Sequence, residues 1–327
     1  MKGIIYKRYG DPEVLEMCEL PKPVPQDHEL LIRVRATTVS AADWRVRSMK
    51  LPLGFNLLGP LAFGIRAPKQ PILGTELAGD VEAVGKAVTS FKAGDQVFAY
   101  PGGRMGAYVE YMCMPADGAV VIKPSNLSHE QAAALSFGGS TMLDFFRRGA
   151  LQSGERVLIN GASGAVGTAA VQLAKHFGAH VTGVCSTANL DLVKSIGADQ
   201  VIDYTKQDFT ASGEQYDVIV DTAGTAPFSR SRSSLSSGGR LLLVLAGLPE
   251  MLRAPWHTMT SNKKVIAGPS VERNEYLYQL AELAASGKFL PVIDRTYAFE
   301  EMVAAHRYVD KGHKKGNVVI TIGARDE

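Results

Sequence analysis

The run Val157-Leu-Ile-Asn-Gly161-Ala-Ser163-Gly164-Ala165-Val166-Gly167 has the residue types and spacing to grip a pyrophosphate. Apolar residues ahead of Gly161 read as a strand, and those from Val166 to Phe177 repeat with a helical period. Gly161 permits the turn out of the strand, Gly164 lets backbone amides approach an anion, and Gly167 lets the helix pack closely on the sheet. The free amides at the helix start, with the helix's partial positive charge, would then hold the phosphates. A glycine triplet alone is weak evidence. Here it lies between a strand and a helix, with a second strand at the right distance, and that context predicts a dinucleotide site.

The end of that second strand bears on which dinucleotide is bound. NAD-binding proteins place Asp or Glu there to hold the ribose hydroxyls. This chain instead reads Val184-Cys185-Ser186-Thr187-Ala188-Asn189. A carboxylate would repel a 2′-phosphate, whereas hydroxyls and an amide can hydrogen-bond it, so the loop favours NADPH, with Ser186 and Asn189 as contacts. A structural alternative is that Ser186 starts the turn and Asn189 caps the next helix. The loop has no arginine, which leaves Lys194 or a distant side chain as the phosphate's cation.

The elements that position these residues fall into two textures. The first ~120 residues read as β-rich, a share consistent with one domain in a chain of about two. Glu29–Ala36 alternates apolar and charged residues like a half-buried strand, and Leu77–Val84 and Gln96–Ala99 are further strands. Ser128 and Gln131 resemble a capping box ahead of an Ala-rich run. From Gly154 onward strands and helices alternate. Arg156–Ile159, His180–Val184, Val201–Ile202, Val218–Asp221 and Leu241–Leu245 read as strands, and Leu190–Ile196 as a helix after the first. Such alternation predicts a doubly wound parallel sheet covered on both faces, and hence an α/β fold. Tyr276–Ser286 and Phe299–Val309 read as helices and Val318–Ile322 as a closing strand. Leu51–Ile65 is apolar but broken by Pro52, Gly54, Gly59 and Pro60, and reads as a loop.

A net charge of +2 argues against a nucleic-acid or membrane-surface protein. Three scattered cysteines (Cys18, Cys113, Cys185) make no disulfide framework, which suggests a reducing compartment. The start MKGIIYKRYG lacks an apolar signal core, and no run of 18 uncharged apolar residues occurs, so a cytoplasmic protein is expected.

Taken together, these features resemble the medium-chain dehydrogenase/reductase superfamily, most closely its zinc-free quinone oxidoreductase branch. The resemblance covers essentially the whole chain. It rests on Gly74-Thr-Glu-Leu-Ala-Gly79-Asp-Val-Glu-Ala-Val-Gly85, Phe91-Lys-Ala-Gly-Asp95-Gln-Val and the glycine loop, with Gly197-Ala-Asp199-Gln-Val-Ile-Asp203-Tyr204 and the segment from Ala304-Ala-His306 to Asn317-Val-Val-Ile. It implies a Rossmann domain over 126–264 and a β-rich GroES-like catalytic domain made of 1–125 joined by 265–327, with the active site in the cleft between them and a homodimer as the assembly. Zinc-dependent relatives carry a Cys near Ser40–Asp43, a His within Gly74-Thr75-Glu76 and a third ligand near Gly138. This chain lacks thiol and imidazole at those places, so no metal is expected. His176 and His180 are separated by Gly178, which breaks the single helical face a metal pair needs.

The chemistry implied is transfer of a hydride from NADPH to a small electron-poor acceptor, a quinone or activated alkene. It is mainly a matter of positioning, with the proton coming from water or a nearby hydroxyl. By resemblance, Thr141 lies beside the nicotinamide, with Ser140 either there or simply starting a helix. Ser40 and Asp43 occupy the substrate-side turn, and Asp43 could instead fix that turn through its own backbone. Where the family often carries Asn and Tyr, this chain has Ser40 and Arg45, with Trp44 alongside. Tyr204 corresponds to a tyrosine near the adenosine phosphate, Thr222 ends a strand on the cofactor side, and Ala246, Gly247 and Asn317 pass near the nicotinamide. Lys311–Lys315 reads as a solvated loop. Met49–Pro71 is long for a connection and reads as an apolar lid or wall over the acceptor, or else a dimer contact or core plug. Reduction of 2-enoyl thioesters or alkenals, or a non-catalytic NADPH-binding role, are the alternative functions.

Overall fold

Strand-forming runs organise the first part of the chain. β1 (Lys2–Tyr6) and β2 (Leu15–Glu19) pair antiparallel. β3 (Glu29–Thr38) is followed by α1 (Ala41–Ser48), the short α2 (Gly59–Phe63), β4 (Leu77–Val84), β5 (Gln96–Ala99), β6 (Tyr111–Pro115), β7 (Val120–Ile122) and α3 (His129–Ala133). The computed structural model describes residues 1–323, and the chain divides into two units. Met1–Leu51, Asn56–Phe137 and the chain from Arg273 onward form the first; Pro52–Phe55 and Gly138–Glu272 form the second.

In the first unit β3 is not the half-buried strand its alternation suggests. It pairs with β4, with β6 and with the last strand of the chain. That central place buries Leu31 as well as Leu30, Ile32, Val34 and Ala36, and leaves Arg33 exposed. The strand also runs two residues past Ala36, which brings the Thr37 and Thr38 hydroxyls into the interior. Ser128 opens α3 with a true capping box, its hydroxyl accepting from Gln131 N and the Gln131 side chain accepting from Ser128 N. The apolar stretch read as a loop contains α2, with Pro60 in its first turn where a missing N–H costs nothing. Leu53, Leu57, Leu58, Leu61 and Ile65 lie exposed, so these side chains plug no core, while Phe63 packs partly on the core of the first unit.

The second unit begins with α4 (Ser136–Gly149), whose first two residues belong to the first unit. There follow β8 (Arg156–Asn160), α5 (Ala165–His176), β9 (His180–Cys185), α6 (Leu190–Ser195), β10 (Gln200–Asp203), β11 (Tyr216–Asp221), α7 (Phe228–Ser231), β12 (Leu235–Leu243), α8 (Leu248–Thr260) and β13 (Lys264–Ala267). The six strands are all parallel, in the order β10-β9-β8-β11-β12-β13. Val157, Leu158 and Ile159 of β8 and Val218, Ile219 and Val220 of β11 are fully buried, as continuous apolar runs in a doubly covered parallel sheet must be. Each such side chain contributes roughly 1.5–3 kcal/mol by leaving water. Strand order reverses between β8 and β11, and the crevice at the carboxyl ends of those two strands is the ligand position of this topology.

β12 starts six residues before Leu241 and stops at Leu243, because the amides of Val244 and Leu245 turn to Asp221 O at 3.0 and 3.4 Å. α8 and β13 escape the sequence reading. Pro249 and Pro255 look like breakers, yet Pro249 sits in the first turn, and Pro255 removes one helical bond without ending the helix.

The chain returns to the first unit through α9 (Asn274–Ala285), β14 (Ile293–Ala298), α10 (Met302–Asp310) and β15 (Asn317–Thr321). α10 starts at Met302 because Phe299–Glu301 form a 3₁₀ turn. β15 lies parallel to β14 and antiparallel to β3, completing a sheet in the order β14-β15-β3-β4-β5-β7.

Candidate functional site

The glycine loop of the second unit is built as a cradle. Gly161 has φ +84°, and a Cβ there would meet the Thr222 hydroxyl at 2.6 Å. At Gly167 a Cβ would fall well under 3.0 Å from Gly161 O, so only glycine lets α5 start this close to the loop. Gly164 differs from both. Its φ is −78°, and an added Cβ would meet only Gly161 O, at 3.8 Å. The space over Gly164 is therefore open. No side chain caps α5, whose first helical bond runs from Thr168 N to Gly164 O. The amides of Ala165, Val166 and Gly167 precede that bond, as the first orphan donors of any helix do. Twelve residues of helix dipole stand behind them.

Asp221 fixes the walls of this crevice. Its buried carboxylate accepts from Asn160 Nδ2 and Ala226 N at 2.8 Å, Gly224 N at 2.9 Å and Ala223 N at 3.2 Å. Asn160 also donates to the Thr225 hydroxyl at 2.8 Å. The Thr222 hydroxyl bonds Asn160 O at 2.9 Å and Gly161 O at 3.1 Å, so it braces the turn of the glycine loop. Sequence reasoning reads Asp221 as a strand end. Its role appears only once parallel pairing sets it beside Asn160.

Ser140 and Thr141 are buried on α4, whose Gly138 abuts the first turn of α5: a Cβ there would lie 2.8 Å from Ala165 O. Because α4 begins at Ser136, Ser140 sits inside the helix and does not start it. Its hydroxyl is buried without a partner. Ala246 and Gly247 follow β12 at the same carboxyl edge, and Gly247 precedes α8 with a Cβ position 2.8 Å from Leu53 O and 2.9 Å from the Glu250 carboxylate.

At the far side of the glycine loop, Asn189 precedes α6 but its side chain makes no cap. Instead Asn189 Nδ2 donates to Ser163 Oγ at 3.1 Å and Ser186 Oγ at 3.2 Å, tying the loop after β9 to the glycine loop. Lys194 is not at this edge. It lies in the last turn of α6 and lines a pocket that runs along β10, with Asp199 and Gln200 at one end and Gln207 at the other. Tyr204 follows β10, exposed, with its amide on Cys185 O at 3.1 Å.

The first unit carries a second buried polar cluster. Ser40 and Asp43 form a capping box at the start of α1. The Asp43 carboxylate accepts from Ser40 N at 2.8 Å, Ser40 Oγ at 2.5 Å and Gly74 N at 2.8 Å, and burial pushes its pKa up to about 6. Thr75 Oγ1 donates to Ser40 Oγ at 3.3 Å. Glu76, next in sequence, is fully buried; it accepts from Thr38 Oγ1 at 2.6 Å and Phe137 N at 2.7 Å, and burial raises its pKa to about 7. Asn317 is buried, and its side chain donates to Val292 O at 3.1 Å within the same unit. Lys314 departs from the solvated-loop reading: it is half-buried, donates to Gly316 O at 2.5 Å, and burial lowers its pKa to about 8. Among the described residues, no three His, Cys, Asp or Glu side chains converge as a metal-binding group. No helix among them is long and apolar enough to cross a membrane.

Residues 26–125 match the family described as Alcohol dehydrogenase GroES-like domain, and residues 196–320 match Zinc-binding dehydrogenase. A chloroplastic quinone-oxidoreductase homolog of Spinacia oleracea is 32% identical over 98% of this chain and 98% of its own length. A 2-methylene-furan-3-one reductase of Solanum lycopersicum is 31% identical over 98% of this chain and 79% of its own. Among solved structures, the quinone oxidoreductase from Coxiella burnetii superposes with a TM-score of 0.87 at 27% identity, covering 99% of each chain.

Proposed function

Since the chain belongs to the medium-chain dehydrogenase/reductase superfamily, in its quinone oxidoreductase branch, we propose that it is a zinc-independent reductase carrying hydride from NADPH to a quinone or other small electron-poor acceptor. The observation that carries this reading is the open space over Gly164, faced by the amides that start α5 at the switch point of the sheet. No side chain stands within 4 Å of a Cβ placed at Gly164, which leaves room for a phosphate to approach the backbone there.

NADPH, when bound, would supply a hydride at nicotinamide C4, with the proton coming from water or a nearby hydroxyl. The protein's own contribution is positional. Asp221, Asn160 and Thr222 hold the walls of the crevice; Asn189 ties Ser186 to Ser163; and Ala246 and Gly247 stand at the carboxyl edge where the dinucleotide runs. We assign Thr141 to the nicotinamide side, and Ser40, Asp43 and Asn317 to the catalytic domain, taken as 1–125 with 265–327 around a cofactor domain of 126–264. Asp43 would act as a positioning residue, since its carboxylate is engaged by Ser40 and Gly74.

Donor chemistry supports zinc independence, although one matched family carries zinc in its description. Near Ser40–Asp43 and within Gly74-Thr75-Glu76, where zinc-dependent relatives place a Cys and a His, this chain has no thiol or imidazole; the hydroxyls of Ser40 and Thr75 lie 3.3 Å apart, and the carboxylates of Asp43 and Glu76 are taken up by hydrogen bonds. Zinc favours thiolate, imidazole and carboxylate ligands. We further propose a cytoplasmic homodimer. β13 is the last strand of its sheet, and beside it α8 exposes Leu252, Trp256 and Met259 to 71%, 64% and 80% at helical spacing.

The test is a titration of purified protein with NADPH and NADH, followed by steady-state assays with 1,4-benzoquinone, 9,10-phenanthrenequinone and crotonyl thioester, and metal analysis. Binding of neither dinucleotide, or stoichiometric zinc, refutes the reading. Turnover of the thioester alone would favour conjugated-alkene reduction, a reading also favoured by the likeness to the Solanum lycopersicum reductase. Binding without turnover of any acceptor would favour a non-catalytic role.

A further inference from the structure

The loop after β9 brings no carboxylate of its own, but the fold delivers one. Parallel pairing sets Asp203, at the end of β10, beside Cys185, the residue before Ser186. The Thr187 hydroxyl donates to Asp203 Oδ2 at 2.5 Å. On the other oxygen, Asp203 Oδ1 accepts from Thr205 Oγ1 at 2.7 Å and Thr205 N at 3.0 Å. These bonds, led by that from Thr187, hold the carboxyl down at about 2, so it stays ionised at any working pH.

The hydroxyl hydrogens of Thr187 and Thr205 both go to Asp203. Both hydrogens of Asn189 Nδ2 go to Ser163 and Ser186. Among the side chains of residues 186–189 and 203–206, those of Ser186, Tyr204 and Lys206 keep hydrogens to give, and of these only Lys206 carries charge. The Lys206 backbone amide bonds Asp203 O at 3.0 Å, which holds the residue just beyond the carboxyl end of β10, whereas Lys194 lies in the last turn of α6. Its ammonium stands 3.6 Å from Asp203 Oδ2 with the side chain 70% exposed, too long for a hydrogen bond and loose enough to swing.

We infer that Lys206 is the cation that recognises the 2′-phosphate of NADPH, and that Asp203 opposes it, restraining the preference for NADPH over NADH. This rests on the proposal that the cofactor is NADPH, and it replaces Lys194 in that role. An exposed pairing with Asp203 is weak, so the ammonium gains by moving to a phosphate carrying more charge. Asp203 stays behind as a fixed like charge, and the net selectivity is the difference between the two.

The test is dinucleotide binding followed by the quenching of intrinsic fluorescence, with no acceptor present. Lys206→Ala should raise the NADPH dissociation constant about tenfold, the lower end of the scale of one charge-assisted hydrogen bond. NADH should be unaffected, which also reports an intact fold. Lys206→Arg should restore NADPH affinity, and Asp203→Asn should strengthen NADPH relative to NADH by about threefold. The extra weakening of NADPH by salt should be present in the wild type and absent in Lys206→Ala. An unchanged ratio of the two dissociation constants in Lys206→Ala overturns the inference while leaving the cofactor reading intact. A wild type that binds NADH alone refutes the NADPH proposal before any variant is made.

Discussion

Gly164 and Gly167 lie one turn apart, and replacing each with alanine should separate binding from folding. At Gly164 the backbone is in a region any residue adopts, and a methyl meets nothing nearer than 3.8 Å. Gly164→Ala should therefore leave stability unchanged or raise it by about 0.4–1 kcal/mol, because the unfolded chain loses freedom. The same methyl fills the space the pyrophosphate needs. Displacing the phosphates from one amide removes about 1.5–3 kcal/mol, a rise of roughly tenfold to somewhat over a hundredfold in the NADPH dissociation constant. Gly167→Ala drives a Cβ into Gly161 O and the Ala162 backbone, neither of which is a flexible side-chain end. It should destabilise the protein by about 1–3 kcal/mol, as overpacking does. The assay is a thermal melt and an NADPH titration on each variant. A Gly164→Ala protein that melts several degrees low, or that binds NADPH like the wild type, would refute the cradle.

Asp221→Ala should cost about 3–5 kcal/mol in urea unfolding, since Asn160 Nδ2 and the amides of Gly224 and Ala226 lose their acceptor in a buried place; a cost under 1 kcal/mol would show that those bonds are dispensable. For Glu76 the folded-state pKa of about 7 lies above the ordinary 4.5, so the folded state holds the extra proton and stability falls as pH rises between those values. The fall is of order 3 kcal/mol at about 1.4 kcal/mol per pH unit. Asp43, raised to about 6, adds in the same direction. Glu76→Gln should remove the larger part of this slope in urea midpoints, and an unaltered slope would assign it elsewhere. Trp256→Glu should convert a dimer to a monomer by light scattering; a wild type already monomeric would dispose of the interface on α8.

The parts legible in the sequence were those with a local physical cause. Continuous apolar runs mark β8 and β11 because both faces of each strand are covered, and the glycine loop is legible because Gly161 takes a left-handed φ and Gly167 lets α5 start close against Gly161 O, both local demands. Edge elements carry no such mark. β2 reads LEMCE with three exposed residues, β14 reads IDRTYA with none fully buried, and β7 is three residues long. α8 is masked by prolines it tolerates. The polar residues that matter are set by pairing across the chain: Asp221 by β8, Glu76 by Thr38 on β3 and Phe137 on α4, and Asp203 by the loop after β9. Lys194 misleads for the same reason. It is near Ser186 in sequence, but it stands in the last turn of α6, at the far end of that helix from the loop after β9.

The four-residue stretch Pro52–Phe55 groups with the nucleotide-binding unit although both its flanks belong to the other one, and Leu53 O accepts the amide of Leu248 at 2.8 Å where α8 starts. A fragment cut at 138 and 272 would thus leave behind a foreign splint on which that helix is seated. Domain exchange between homologues should succeed as a cassette only when this tetrapeptide travels with it, and a chimera that omits it should show frayed hydrogen exchange at the first turn of α8.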